Sequence, residues 1–477
     1  MSTIICNISY MGIEVYKTKP MSHQQKALEN GVNREYFAYF MEMGTGKTKV
    51  SIDNMTYLYH KGLVDFVLVI APNSVYMNWW DEIEIHSKAK VNVYRHKVDK
   101  KFIFKKDSLN YYLMNVEAFS HSAQVKKIIP LLKELQNKAC VIVDESTTIK
   151  NRSAKRTKNV IQSCKNIPYK RILSGFPVTK NPLDLFSQCE FLKPGLLGTD
   201  NFYVFRATYS ILIPITRPNG KVIQIPKNFH NTEHLLPLLQ KFSFRALKKD
   251  CLDLPDKIYH TRIIPMSKEQ AEVYEHLKNY ARAVLGDEEA TYANKLTEII
   301  KLHQVANGFV VTDDGTIKDL PCSKITELHN VLEETTGKVI IWANYIHNIK
   351  QIQDSLVKKY GQKSVVVYYG EVSVQQRHDN VHAFQNDSNV QFFVSNPATA
   401  GRGLTLTAAT TVIYFSNNFN LEERVQSEDR AHRKGQTNRV NYINLISENT
   451  IDSFVLHALN NKLKLSAQTL GEDILKI

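Results

Sequence analysis

Two separate series of short runs rich in Val, Ile and aromatic residues, each run followed by a longer stretch of helical pattern, constrain this chain more than any other feature. Such alternation is how a chain builds parallel sheets with crossover helices. The first series comprises residues 36–40, 66–71, 111–116, 140–143 and 171–173, and it ends near residues 191–194. The second comprises residues 339–342, 365–369, 391–395, 412–415 and 440–445. Between them the strand signal fades, and helical segments such as 268–285 and 292–306 take over. The expected fold class is α/β, with two lobes that are each a mostly parallel sheet flanked by helices, and a small helical insertion between them. The expected domains are a first lobe at 1–194, a helical insertion and linker at 195–320, a second lobe at 321–446 and a bracing helix at 447–477. In that last segment Ile451, Phe454, Val455, Ala458 and Leu459 recur at helical spacing behind two candidate caps, Asn449 and Thr450.

A chain of 477 residues exceeds one ordinary core, so two large lobes suit its length. With 43% hydrophobic and 23% charged residues it reads as a folded protein rather than a disordered or fibrous one. No apolar stretch approaches the roughly 18 to 20 residues that span a bilayer, and residues 1–10 lack a charged region ahead of their apolar residues. The expectation is a protein that avoids membranes and stays where it is made. Cys6, Cys140, Cys164, Cys189, Cys251 and Cys322 are scattered without a C-x-x-C pair, which suggests neither a disulfide framework nor a zinc site. Lys and Arg outnumber Asp and Glu by 61 to 47, giving a net charge of +14 and favouring a polyanionic partner. Clusters at 97–106 and 150–158 read by default as solvated faces.

The run at 36–40 leads into Met41-Glu42-Met43-Gly44-Thr45-Gly46-Lys47-Thr48 and then into a helical pattern. This is a phosphate-binding loop in its usual context, although Met41 stands where the strict pattern has glycine. Gly44 and Gly46 let backbone N–H groups approach phosphate oxygens. Lys47 reaches the β and γ phosphates, and the Thr48 hydroxyl ligates magnesium at a helix N-terminus. Downstream, Val141-Ile142-Val143 ends in Asp144-Glu145. Asp144 suits the magnesium, and Glu145 suits the orientation and deprotonation of an attacking water.

In the second series, Gln426 to Gln436 holds Arg430 and Arg433 three residues apart, hence on one face of a helix. Both can point at one anion, and an arginine supplied across a lobe interface neutralises charge on a transferring phosphoryl group. The plainer alternative is a basic helix surface or a phosphate-backbone contact. His432 reads as a hydrogen-bonding spacer.

The assembled motifs resemble the Swi/Snf-like branch of helicase superfamily two. Met43 to Thr48 resembles motif I. Asp144-Glu145-Ser146-Thr147 with Ile149-Lys150-Asn151 resembles motif II, and Leu173 to Val178 with Asn181 resembles motif III. Ile70 to Ser74 with Asn78-Trp79 resembles motif Ia, residues 339–342 motif IV and residues 399–409 motif V. Gln426, Asp429, Arg430, Ala431, His432, Arg433, Gly435 and Gln436 resemble motif VI. The resemblance implies two RecA-like lobes, ATP and Mg2+ as cofactors, and Gln24 as the adenine-reading glutamine. It implies ATP bound by Gln24, Met43, Gly44, Thr45, Gly46, Lys47 and Thr48, and metal held by Thr48 and Asp144. Catalysis falls to Lys47, Asp144, Glu145, Gln426, Arg430 and Arg433. Asn73, Ser74, Asn78, Trp79, Asn344 and Gly403 are the implied nucleic-acid contacts.

Three departures bear on coupling rather than hydrolysis: Ser146-Thr147 in place of Ala-His, Phe176 in place of Thr, and Thr405 in place of Asn. The expected activity is a DNA-dependent ATPase that translocates on double-stranded DNA and remodels or displaces what is bound there. It is expected to work as a monomer, with a possible protein cargo such as a polymerase. A strand-separating DNA or RNA helicase and a scaffold with little catalysis are the competing readings. The resemblance suggests a compact bacterial or phage type, cytoplasmic there and nuclear in a eukaryote.

Overall fold

The computed structural model describes residues 9–10, 12–73, 75–216, 220–286, 292–400 and 404–472. The chain divides into two compact units. The first comprises residues up to 212, residues 226–253 and residues 465–474; the second comprises 213–225, 254–464 and the last three residues.

In the first unit β1 (Ser9–Tyr10) and β2 (Ile13–Glu14) form a small antiparallel ladder. The main sheet uses β3 (Tyr36–Met41), β4 (Phe66–Ala71), β5 (Val91–Arg95), β6 (Leu109–Asn115), β7 (Ala139–Asp144) and β8 (Tyr169–Leu173). After the two-stranded sheet of β9 (Ser210–Thr216) and β10 (Val222–Phe229), β11 (Ser243–Ala246) completes it. The order is β11-β3-β8-β7-β4-β6-β5, and every pairing is parallel. Both faces are covered. Phe66, Leu68 and Ile70 of β4 enter one apolar cluster, and Val67, Val69 and Ala71 enter the other. That period of two, with apolar residues on both faces, is why the sequence shows a continuous apolar run.

The second unit repeats the plan. Its sheet contains β12 (Lys257–Ile264), and β13 (Phe309–Val311) pairs with β14 (Ile317–Asp319) outside it. The sheet continues with β15 (Lys338–Trp342), β16 (Val365–Tyr368), β17 (Phe392–Ser395), β18 (Ala409–Tyr414) and β19 (Val440–Ser447). The order is β12-β19-β18-β15-β17-β16, again wholly parallel. Val339 and Ile341 pack on one face, Ile340 and Trp342 on the other.

All ten anticipated strands are present, but the reading of 195–320 as helical insertion and linker needs correction. Helices Lys268–Gly286 and Tyr292–Ala306 do lie there, yet so do β9 to β14, and two of those strands belong to the main sheets. Compact units change over at residues 253 and 254, inside that segment. The closing helix runs Ile451–Leu470, and the Thr450 hydroxyl accepts the Asp452 N–H at 3.3 Å, so Thr450 is the cap. No helix among the described residues is long and apolar enough to cross a membrane.

Candidate active site

The turn after β3 is built on two glycines in the left-handed region, Gly44 at φ 82° and Gly46 at φ 90°. At Gly46 the left-handed conformation requires glycine, and a Cβ would also stand 2.2 Å from Gln24 Nε2 and displace that amide from its place against the turn. Thr45 tightens the turn by donating its N–H and its hydroxyl to Glu42 O, at 3.3 and 2.7 Å. The helix Lys47–His60 begins at once, with Gly46 as a cap that offers no side chain. Its first-turn N–H groups have no intrahelical acceptor, which suits an anion. Gln24 lies against this turn: Nε2 donates to Thr45 O at 3.1 Å, and Oε1 accepts the Met21 N–H at 3.0 Å. The same Thr45 oxygen lies 2.8 Å from His23 Nε2. Thr48 is half-buried in the first helical turn, and Met43 is half-buried in the loop.

Lys47 is 9% exposed and Asp144, at the end of β7, 4%. Burial raises the Asp144 carboxyl above its usual range, while Lys47 and the indole N–H of Trp79 pull it back. Its geometry is fixed from both sides. Trp79 Nε1 donates to Oδ2 at 2.9 Å, and the Glu145 N–H donates to Oδ1 at 2.9 Å. Glu145 itself sits at φ 48°, ψ 62°, a left-handed conformation that a non-glycine residue keeps only when its surroundings impose it. Asp144 thus lies in the field of Lys47, and Thr48 follows Lys47 in the first helical turn. A carboxylate and a hydroxyl are the donor types that Mg2+ takes, and an ammonium is what a polyphosphate takes.

Arg245 and Lys248, which support this turn, carried no sequence signal, because their partners lie 70 to 227 positions away. Arg245 on β11 donates to Phe40 O at 3.1 Å and Gly175 O at 2.9 Å, and to Glu472 Oε1 at 2.5 Å. The Lys248 N–H donates to Glu42 Oε2 at 2.6 Å. A Cβ on Gly175 would meet Met43 N at 3.3 Å, so the segment after β8 runs directly against the phosphate loop. Ser146, one of the departures, donates to Gln188 Oε1 at 2.6 Å, and Gln188 donates to Pro177 O at 2.9 Å. The substituted residue thus ties the acidic segment to the stretch after β8.

Asn73 and Asn78 are exposed beyond the end of β4, as contacts with a polymer would require. Trp79 corrects the expectation. Its side chain is 1% exposed and packs in the apolar cluster on one sheet face, so it offers no surface to a nucleic acid. Ser74 and Gly403 lie outside the described residues.

In the second unit the helix Leu421–Ala431 carries Gln426 and Arg430, but it ends before Arg433. The expected common helix face is therefore replaced by another convergence: Arg430 and Arg433 both donate Nη1 to Leu404 O, at 2.9 and 3.1 Å. Arg430 is fully buried and also donates Nε to Gln426 O at 3.1 Å. Arg433 is half-buried and donates to Thr405 Oγ1 at 3.0 Å, so that departure is a partner of the arginine. Gln426 is buried, with its amide 3.4 Å from Glu422 Oε1. His432 Nε2 lies 2.7 Å from Pro255 O, and Gln436 donates to Thr407 O, Ala409 O and Ala431 O. Asn344 is half-buried, donating its N–H to Ser416 Oγ at 2.8 Å and accepting Asn418 Nδ2 at 3.2 Å.

Residues 38–309, more than half of the chain, match the SNF2-related domain, and residues 323–435 match the helicase conserved C-terminal domain. The chain belongs to the SNF2 family. Both matched domains are of the helicase superfamily two type. Among curated relatives, the DNA annealing helicase and endonuclease ZRANB3 of Bos taurus is 28% identical over 90% of this chain and 38% of its own length. The SWI/SNF chromatin-remodeling complex subunit snf22 of Schizosaccharomyces pombe is 26% identical over 90% of this chain and 26% of its own. The ATP-dependent helicase MG018 of Mycoplasma genitalium is 27% identical over 91% of this chain and 40% of its own. This SNF2 chain thus spans between about a quarter and two fifths of the length of these relatives. Among solved structures, the Sulfolobus solfataricus SWI2/SNF2 ATPase core in complex with dsDNA is 25% identical, covering 96% of this chain and 94% of that one with a TM-score of 0.43.

Proposed function

We propose that this SNF2-family ATPase moves along double-stranded DNA and uses the movement to remodel or displace bound protein or DNA structures. The observation that carries the reading is Asp144, a buried carboxylate oriented by two N–H donors within the field of Lys47. In this reading Gly44, Thr45, Gly46 and Lys47 cradle the phosphates of ATP, with Met43 and Gln24 completing the nucleotide site. Thr48 and Asp144 hold Mg2+, which when bound neutralises charge on the phosphate oxygens. Glu145 orients the attacking water and takes its proton. Arg430 and Arg433 supply positive charge to the transferring phosphoryl group, and Gln426 supports Arg430 through its carbonyl oxygen.

Asn73, Asn78 and Asn344 serve the polymer, together with Ser74 and Gly403. The names of the relatives support DNA as that polymer, since they speak of DNA annealing and of chromatin remodeling. Phosphate contacts carry no sequence information, which is what a moving enzyme needs. One copy of the chain contains every residue named, so a monomer suffices, acting on a protein cargo.

The test is ATP turnover measured side by side with no polymer, duplex DNA, single-stranded DNA and RNA. Duplex DNA is expected to stimulate most, with little unwinding of a forked duplex. Glu145→Gln is expected to lower turnover by on the order of 10²-fold or more, and Lys47→Ala to abolish it. Stimulation by RNA alone, or efficient strand displacement, would replace the translocase reading with a helicase. Turnover indifferent to every polymer would leave a scaffold.

A further inference from the structure

The helix Asn78–His86 opens with an exposed asparagine followed by a buried tryptophan. These neighbours face different worlds. Asn78 closes the turn that leaves β4, while the Trp79 indole reaches the carboxylate at the end of β7. Strands β4 and β7 are adjacent and parallel, with Ile70 opposite Val143, so the two strand ends lie side by side. The turn between is stitched into the helix: Val75 and Tyr76 donate to Pro72 O at 2.8 and 3.0 Å, Asn78 to Val75 O at 3.0 Å and Trp80 to Met77 O at 3.0 Å. These main-chain bonds tie the segment after β4 to the start of the helix.

A buried indole N–H needs an acceptor, and it has no accepting role of its own. Here the acceptor is Asp144 Oδ2 at 2.9 Å, rather than a main-chain carbonyl. The contact weakens steeply once the partners separate beyond about 3.5 Å, so a small displacement of the helix alters how the carboxylate is held. We propose that Trp79 is a positioning residue: it aims the Asp144 carboxylate for magnesium and transmits engagement of the exposed residues Asn73, Met77 and Asn78 to the metal site. This rests on the reading of the protein as a duplex-stimulated ATPase. Trp80 provides the contrast, since its ring packs under the Arg95 guanidinium at 4.5 Å.

The experiment compares wild type, Trp79→Phe and Trp80→Phe. Phenylalanine keeps an aromatic ring in the core and removes only the N–H and the second ring, and a melting curve verifies folding of each variant. The first readout is the affinity for fluorescent ADP with and without Mg2+. Loss of a group that orients a metal ligand costs on the order of 10- to 100-fold in metal affinity. Trp79→Phe is therefore expected to lose most of the Mg2+-dependent gain in ADP binding while ADP binding without metal stays unchanged. The second readout is duplex stimulation: kcat with saturating DNA falls several-fold, while the DNA concentration for half-stimulation holds. Trp80→Phe is expected to match wild type in both. A folded Trp79→Phe protein with wild-type Mg2+ dependence and wild-type stimulation would overturn the proposal. If wild type itself ignores duplex DNA, the functional reading and the relay both fail. The Mg2+ arm then still decides whether Trp79 positions Asp144.

Discussion

Arg430 and Arg433 share one carbonyl, yet the structure gives them different work. Arg430 has no exposed surface and bonds Gln426 O and Leu404 O. Arg433 is half-buried and meets Leu404 O and Thr405 Oγ1. Removing a buried charged donor costs about 1–3 kcal/mol for the groups left behind, so Arg430→Ala is expected to lower unfolding stability as well as turnover. Arg433→Ala is expected to keep stability within about 1 kcal/mol of wild type while turnover falls by on the order of 10³-fold. Urea unfolding run beside steady-state kinetics separates the two, and equal stability losses would refute the division. The arginines were legible in the sequence, because motif residues announce their own chemistry. Their burial was not, because helical spacing implied a common face and the helix stops at Ala431. Trp79 was named as a nucleic-acid contact by motif position alone, which does not show that its indole turns inward to Asp144.

At the scale of elements, the strands in sheet interiors were the readable ones, and β16 is the one edge strand that was also anticipated. Strands β3, β4, β7 and β8 are central in one sheet, and β15, β17, β18 and β19 in the other. Buried on both faces, they are mostly apolar, and where β8 carries Lys170 and Arg171, these bond to Lys165 O, Glu35 O and Asn54. The three sheet strands that went unrecognised, β5, β11 and β12, are all sheet edges. An edge is only partly covered, so it tolerates Lys257, His260 and Arg262 in β12, and the apolar signal breaks. Yet β12 supports the arginine-bearing helix. Lys257 Nζ and Tyr259 OH donate to Glu428 Oε2 at 2.9 and 2.7 Å, and Arg424 Nε donates to Oε1 at 2.9 Å. Burial alone would raise the Glu428 carboxyl, but Lys257 and Arg424 outweigh it and hold the group below its usual value. Its folded pKa is depressed, so its stabilisation is present above the ordinary glutamate range and is lost as pH falls through the folded pKa. Glu428→Ala leaves buried Arg424 without its carboxylate and is expected to cost about 3–5 kcal/mol at neutral pH. Denaturant unfolding at pH 7 and in acid checks this, and the difference between variant and wild type should shrink on acidification.

Across the whole molecule the charge of +14 becomes an energetic statement about the polymer. An enzyme that steps along DNA must make equivalent contacts at every register, which excludes reliance on base edges and leaves the phosphates. Each phosphate neutralised by Lys or Arg releases condensed counterions, so affinity falls with a log–log slope near −0.9 per contact on duplex and about −0.7 on single strands. If about six phosphates are engaged, duplex affinity is expected to drop by on the order of 10³-fold between 50 and 200 mM salt. Fluorescence anisotropy without nucleotide measures that slope, and scrambled duplexes of equal length should give the same slope and the same intercept. A base-reading contact would instead separate the sequences by about 1–3 kcal/mol for each bidentate pair lost. A shallow slope combined with sequence preference would mean that the surplus of basic residues serves some purpose other than a track, and the motor reading would lose its grip on DNA.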